Sequence, residues 1–319
     1  MEKLAIIIGP TAVGKTALAL EIAYRLNAEI ISGDSMQVYK GMDIGTAKIK
    51  NSEMYVHDRL IPHHLIDILD PWENYSVASF QQNAKQIIRD INTRGKVPLI
   101  AGGTGLYIQS IIDPYEFTIE DSDEAYRDQL RILADAKGKE FVHDMLKKID
   151  QKSATNIHPN NLKRVIRALE VYHLTGKPIS ASHKVDFRNE PPYHLAYIGL
   201  NMERELLYQR IEKRVDKMLE EGLIQEVERL LAQPIPPSQT ALQALGYKEI
   251  VAFLNGEISL EEAVGKIKTE TKRFAKRQLT WFKRDTRIKW YSVTKDTNFD
   301  KLAVEISQDI CRTINIDVE

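Results

Sequence analysis

The sequence predicts an α/β fold, a parallel sheet flanked by helices with a mainly helical domain inserted into it, and three observations carry that expectation. Short strand-like runs recur at Leu4–Ile8, Glu29–Ser32, Val97–Ala101 and His194–Leu200, with helix-period sequence between them. Runs that stay apolar on both faces belong to buried parallel strands. A glycine-rich loop joins the first run to the first helix. From about Phe117 to Asn189 the strand-like runs stop and charged helical segments take over, so residues 1–116 and 190–319 are expected to form the core and 117–189 the insertion.

In order, Leu4–Ile8 (LAIII) reads as a buried strand and runs into Gly9, Pro10, Thr11, Ala12, Val13, Gly14, Lys15 and Thr16. This is glycine, four residues, Gly-Lys, then Thr, the P-loop pattern, and it makes the expected core P-loop NTPase-like. Gly9 and Gly14 bring backbone N–H groups up to phosphate oxygens, Lys15 adds a point charge, and the Thr16 hydroxyl can ligate Mg²⁺. Leu18, Ile22 and Leu26 then mark a helix whose N-terminal dipole faces the same anion. Such a loop recognises a polyphosphate and its metal, not a base, so the compound bound stays open here.

Length and composition narrow the classes. With 319 residues, 43% of them hydrophobic, the chain can bury a full core, and its net charge of -1 leaves nucleic-acid binding to local patches. The single cysteine, Cys311, excludes an internal disulfide and a cysteine metal site, which suits the cytoplasm. No window approaches the roughly 20 apolar residues of a membrane span, and none is expected.

Glu29–Ser32 is a second strand ending in Gly33, Asp34 and Ser35, at the edge where open α/β sheets bind ligands. Asp34 fits a metal-orienting carboxylate, a general base or a helix N-cap. Gln37–Lys48 has no period and two glycines, and is expected to be a loop shaped for contact rather than for core. His57, His63 and His64 lie close together, yet their spacing matches no zinc pattern. Tyr75–Ile91 places Val77, Phe80, Ala84, Ile87, Ile88 and Ile91 on one helical face. Val97–Ala101 opens into Gly102, Gly103, Thr104 and Gly105, a second glycine turn leading to a helix, with Thr104 either at the ligand edge or capping that helix.

In the insertion, Asn160–Tyr172 reads as a helix with Leu162, Val165, Ile166, Leu169 and Tyr172 inside and Lys163, Arg164 and Arg167 outside. Glu203–Leu231 is a long amphipathic helix or a pair, carrying Arg204, Arg210 and Arg214. Between Lys268 and Arg287 basic residues far outnumber acids, with Phe274, Trp281 and Phe282 interleaved and Tyr247 nearby. That combination suits a phosphate backbone with bases to stack.

GPTAVGKT, SGDSMQVYKGMDIGTAK, HHLID, PLIAGGTGLY, RALEVY, GYKEI and KRFAKRQLTWFKRD, in this order, resemble the bacterial tRNA dimethylallyltransferase family, also called tRNA isopentenyltransferase, from Leu4 to about Trp290. The resemblance implies transfer of a dimethylallyl group from dimethylallyl diphosphate to the exocyclic amine of the adenine 3′-adjacent to the tRNA anticodon, with Mg²⁺ at Thr16. It also implies that Asp34 takes or orients the amine proton and that Thr104, Arg127 and Arg210 touch the diphosphate or its reacting end. Asp34, Ser35, Met36, Gln37, Lys163, Arg164, Arg167, Gln243, Gly246, Tyr247, Lys248, Lys276, Arg277, Gln278, Trp281, Lys283 and Arg284 fall in its tRNA-contacting stretches. The target base must then leave its stack, with the anticodon arm gripped by the surrounding surface. A cytoplasmic monomer is expected.

Three other classes compete. A P-loop kinase would use the same loop on ATP and add an Arg-rich lid, and an isopentenyltransferase acting on free adenine nucleotides could dispense with the C-terminal basic segment. A non-enzymatic RNA-binding module would not need Lys15, Thr16 and Asp34 together.

Overall fold

The computed structural model describes residues 1–114, 123–182 and 191–316. By its contacts the chain divides into two units, Met1–Ile112 with Glu190–Glu319, and Asp113–Asn189. The boundaries expected at Phe117 and Asn189 lie outside the described residues.

The first unit begins β1 (Lys3–Ile8), α1 (Lys15–Arg25), β2 (Ala28–Gly33), β3 (Tyr55–Val56), β4 (Arg59–Leu60), β5 (His63–His64), α2 (Val77–Thr93), β6 (Val97–Gly102) and α3 (Gly105–Ile112). The second unit holds α4 (Glu124–Lys137), α5 (Lys139–Ile149), α6 (Gln151–Asn156), α7 (Leu162–Thr175) and α8 (Ile179–Ser182). The first then resumes with β7 (His194–Met202), α9 (Arg204–Glu220), α10 (Leu223–Leu231), α11 (Gln239–Leu242), α12 (Tyr247–Leu254), α13 (Leu260–Phe282), β8 (Lys289–Val293) and α14 (Phe299–Ile314).

Among the described residues six strands form one sheet in the order β5-β2-β6-β1-β7-β8, every neighbouring pair parallel. β1 explains the unbroken apolar runs. Its Ala5 and Ile7 enter the core shared with α1 and α14, while Leu4, Ile6 and Ile8 enter the core shared with α2 and α3. Both faces are therefore covered, and each such aliphatic side chain contributes roughly 1.5–3 kcal/mol of burial. α2 starts where Ser76 accepts from the Ser79 N–H at 3.0 Å, and α13 starts in a capping box between Ser259 and Glu262.

Several expectations change. The loop after β2 is not only a contact surface, because Val38, Tyr39 and Met42 are fully buried against Val215, Leu223, Val227 and Ile250. Glu203–Leu231 is a pair, since Gly222 at φ 97 ends α9 in a left-handed turn that extends no helix. In the second unit α7 buries Val165, Ile166 and Leu169 as its spacing predicts, but Tyr172 is exposed and Val171 faces inward instead. Among the described residues no helix is long and apolar enough to cross a membrane.

Candidate active site at the carboxyl edge of the sheet

Three neighbouring strands deliver the candidate residues to one edge. Ile8 of β1 and Gly33 of β2 both stand in register with Gly102 of β6, so the P-loop, Asp34 and Thr104 leave adjacent strand ends. That is where open α/β sheets bind ligands. In the loop, Ala12 takes φ 66 and Gly14 φ 107. Gly14 must be glycine on two grounds, its backbone and the ring of Phe299, whose Cζ would lie 2.8 Å from an added Cβ. The first-turn amides of α1 have no intrahelical acceptor, and with the helix dipole they form an anion site. Lys15 donates from Nζ to the Gly9 and Pro10 carbonyls at 2.9 and 2.8 Å, which holds its ammonium under the loop. Burial there, and then the positive charge of Arg214, push its pKa down to about 7, against the pull of Asp34. Thr16, next in the helix, is exposed.

No helix follows Asp34, so the helix-cap reading falls. Its Oδ1 instead accepts from the Met36 N–H at 2.8 Å, an Asx-type turn. Thr104 grips both sides of this residue: its N–H donates to Gly33 O at 3.2 Å and its Oγ1 accepts from Ser35 N–H at 3.3 Å. The Thr104 hydroxyl oxygen thus serves the neighbouring turn. Gln37 accepts from the Ser32 hydroxyl at 2.9 Å and donates to the Thr46 carbonyl at 3.4 Å.

Arg214 also reaches this region. Its guanidinium donates to Thr46 O at 3.5 Å and is close enough to Asp34 and Lys15 to move or feel their charges, burial lowering its own pKa. Arg210, one turn earlier, makes no hydrogen bond or ion pair to another described residue. The signal for Arg214 was its place beside the stripe Ile211, Val215 and Met218, which α9 buries.

A second set of contacts fixes the loop. Glu226, 2% exposed, accepts from the N–H groups of Asp43, Ile44 and Gly45 at 3.1, 2.8 and 3.1 Å and from the Tyr247 hydroxyl at 2.6 Å. Lys48 donates from the other side to Tyr39 O, Asp43 Oδ1 and Asp67 Oδ1. Tyr247 and Gly246, expected in a tRNA-contacting stretch, are therefore buried, while Gln243 and Lys248 remain exposed.

The basic helix is also partly spoken for. Lys268 pairs with Asp216 at 2.6 Å and Lys272 with Glu212 at 2.5 Å, acids that α9 brings alongside. Lys276, Arg277, Lys283 and Arg284 are exposed and form no ion pair to another described residue. Of the aromatic residues expected to stack, Tyr247 and Phe282 are buried, and Phe274 and Trp281 reach the surface. Gln278 is 6% exposed and turned onto the P-loop, so its side chain is withdrawn from any RNA face.

In the second unit Glu170 is fully buried and takes both Arg127, at 2.8 Å, and Arg167, at 2.7 Å. Those two arginines thus have an acid of their own, while Lys163 and Arg164 are exposed. Two of the three clustered histidines have partners of their own. His64 Nε2 meets Glu29 at 2.8 Å and His63 Nδ1 meets Ile61 O at 2.8 Å, and no described group of three His, Cys, Asp or Glu could hold a metal.

A family model described as IPP transferase matches residues 37–285, and one described as isopentenyl transferase matches residues 2–66. The chain is 58% identical over 296 residues to a Carboxydothermus hydrogenoformans protein named tRNA dimethylallyltransferase, covering 93% of this chain and 94% of that one. Among solved structures it is similar to the full-length tRNA isopentenylpyrophosphate transferase of Bacillus halodurans, with 48% identity, a TM-score of 0.73 and coverage of 99% and 97%. It is also similar to a eukaryotic dimethylallyltransferase acting on tRNA, with 32% identity, a TM-score of 0.79 and coverage of 100% and 81%. Identity at this level over nearly the whole length admits one conclusion, that the chain belongs to the tRNA dimethylallyltransferase family.

Proposed function

We propose that the protein transfers the dimethylallyl group from dimethylallyl diphosphate to N6 of the adenine 3′-adjacent to the tRNA anticodon, giving N6-(dimethylallyl)adenosine. The observation that carries this reading is the convergence of an anion-binding loop and a tethered carboxylate, Asp34, at neighbouring strand ends. The allylic C–O bond breaks and its electron pair leaves with the diphosphate, while N6 forms the new bond to carbon. The P-loop amides, Lys15 and Arg214 stabilise the charge that gathers on the leaving group. Asp34 accepts the proton that N6 loses, and Thr104 holds the turn that presents it. Arg210 and Arg127 remain family expectations for the diphosphate, Arg127 after exchange of its Glu170 partner.

The donor set fits Mg²⁺. Thr16 is exposed at the first turn of α1 and no cluster of acids or histidines competes for a metal among the described residues, so substrate oxygens and water would complete the shell, as Mg²⁺ prefers. When bound, Mg²⁺ neutralises charge on the leaving diphosphate. For the RNA we assign Lys276, Arg277, Lys283, Arg284 and Trp281 on one unit, with Ser35, Met36, Gln243 and Lys248, and Lys163 and Arg164 on the other. The protein works as a cytoplasmic monomer.

The test is incubation with labelled dimethylallyl diphosphate and unmodified tRNA, followed by nucleoside analysis. Label in N6-(dimethylallyl)adenosine supports the reading. Label on free AMP but not on tRNA, or phosphate transfer from ATP to a small acceptor instead, would replace it.

A further inference from the structure

Gln278 lies on the buried face of α13, with Ala275 and Phe282. Its Oε1 accepts from the Thr11 N–H at 2.9 Å and its Nε2 donates to the Gly103 carbonyl at 3.0 Å. One carboxamide therefore bridges the first turn of the P-loop and the glycine turn that presents Thr104. The approach is close enough that a Cβ on Gly103 would run into Gln278 Nε2, and one on Gly105 would run into the Trp281 ring. At the same length an ionised Glu keeps the acceptor alone, and Met keeps only a weak acceptor and no donor. Residues on either side, Lys276, Arg277, Lys283 and Arg284, point outward.

We propose that Gln278 is a positioning residue for the diphosphate half of the reaction, setting the spacing between the P-loop and the Thr104 turn from the helix that carries the RNA-facing cations. The inference rests on the transfer reaction proposed above. It places Gln278 on the opposite side of that helix from its basic neighbours in effect as well as in space. Removing the bridge frees the Thr11 N–H and the Gly103 carbonyl, and the loop amides that follow Thr11 lose their fixed relation to Thr104. Turnover and diphosphate affinity should suffer, whereas the RNA surface should not.

Gln278→Met, which keeps the bulk, is expected to weaken binding of inorganic diphosphate by about 10-fold and single-turnover transfer by about 10- to 100-fold, the range of a misplaced positioning contact. Its affinity for the tRNA anticodon arm and the salt dependence of that affinity should stay within about twofold of wild type, unlike those of Lys276→Ala or Arg277→Ala. Gly103→Ala attacks the bridge from the other end. It should reproduce the phenotype, and the double variant should be little worse than either single one, because the two remove the same contact. Gln278→Glu should bind diphosphate still more weakly, since it sets a negative charge beside the loop.

Wild-type diphosphate affinity in both Gln278→Met and Gly103→Ala would overturn the inference, as would fully additive losses in the double variant. So would a selective loss of RNA affinity and salt slope in Gln278→Met, which would return the residue to the RNA face. Should Gln278→Met fail to fold by circular dichroism, Gly103→Ala and Gln278→Glu carry the same comparison. Failure of the wild type to prenylate tRNA would overturn the functional reading alone, because the diphosphate titrations still decide the role of Gln278.

Discussion

Binding of dimethylallyl diphosphate should take up a proton near neutral pH, and Lys15 is the group that takes it. In the free protein its pKa is lowered to about 7 by burial beneath the loop and by Arg214. A bound diphosphate places opposite charge beside the ammonium and raises that pKa. The free pKa thus lies below the bound one, so affinity is full below pH 7 and falls as pH rises, until the bound pKa is reached. With a free pKa of about 7, roughly one molecule in eleven carries the ammonium at pH 8 and roughly ten in eleven at pH 6, a loss of about tenfold, or about 1.4 kcal/mol. The last phosphate proton, with a pKa of about 6, works in the opposite direction below neutrality, so the slope is cleanest between about pH 7 and 8.5. Calorimetry in two buffers of different ionisation enthalpy reads the uptake directly, and about 0.9 proton per site is expected at pH 8 against about 0.1 at pH 6, before the ligand's own proton is counted. Lys15→Ala should bind weakly with no fall in affinity above pH 7. A wild-type enthalpy independent of buffer at pH 8, with a flat affinity, would refute the placement of a half-charged lysine under this loop.

Other predictions follow from the same geometry. Lys276→Ala, Arg277→Ala and Arg284→Ala combined should flatten the salt dependence of tRNA binding by up to about three phosphate contacts, while Lys268→Ala and Lys272→Ala should barely change it, because Asp216 and Glu212 already occupy those ammoniums; filter binding across a salt series distinguishes them. Asp34→Asn keeps an acceptor for the Met36 N–H but cannot take a proton, so its melting midpoint should hold while single-turnover transfer falls by roughly 10²- to 10⁴-fold; retained activity would make the residue structural. Glu29 is held well below the usual carboxylate range by Arg94, and by Lys96 and His64, against its burial. A depressed folded pKa adds stability that is present above the unfolded value of about 4.3 and lost as pH falls toward the folded one, so Glu29→Gln should cost about 1–3 kcal/mol at pH 7 in a denaturant titration and less in acid. Glu226→Gln replaces an oxygen that accepts N–H bonds by an N–H₂ facing donors, and should lower turnover while leaving the salt slope of tRNA binding unchanged.

The sheet was legible because parallel strands covered on both faces have to be apolar throughout, as Leu4–Ile8 and Val97–Ala101 are. β8 was not. Its sequence, Lys-Trp-Tyr-Ser-Val, is an edge strand paired on one side only, so Lys289 and Ser292 can stay exposed and dilute the signal. β5 is shorter still, two residues that carry no strand signal, and the buried acid that His64 reaches, Glu29, lies 35 positions away in sequence. The P-loop could be seen because its chemistry is local: eight consecutive residues provide the turn, the amides, the charge and the hydroxyl. Arg214 and Glu226 could not, because each acts on a loop more than 160 positions earlier in the chain.

The same distinction separates what composition counts along the C-terminal helix from what its surface presents. Charge patterning counts residues along one helix, but Lys268 and Lys272 face acids supplied by α9, and Tyr247 and Phe282 turn inward. What remains outside is a shorter run, Lys276 to Arg284, around a glutamine that faces the other way. A helix used only to attract phosphate would have no need of a buried amide at its centre. This helix has one, fixed to both glycine turns at the edge where Asp34 stands with Oδ1 tethered by the Met36 N–H. Among the described residues the second oxygen of that carboxylate makes no hydrogen bond, which on the proposed reaction leaves it to accept the proton that N6 loses. Precision at that atom depends on the rigidity of its supports, and those supports reach back through Thr104 and Gly103 to α13.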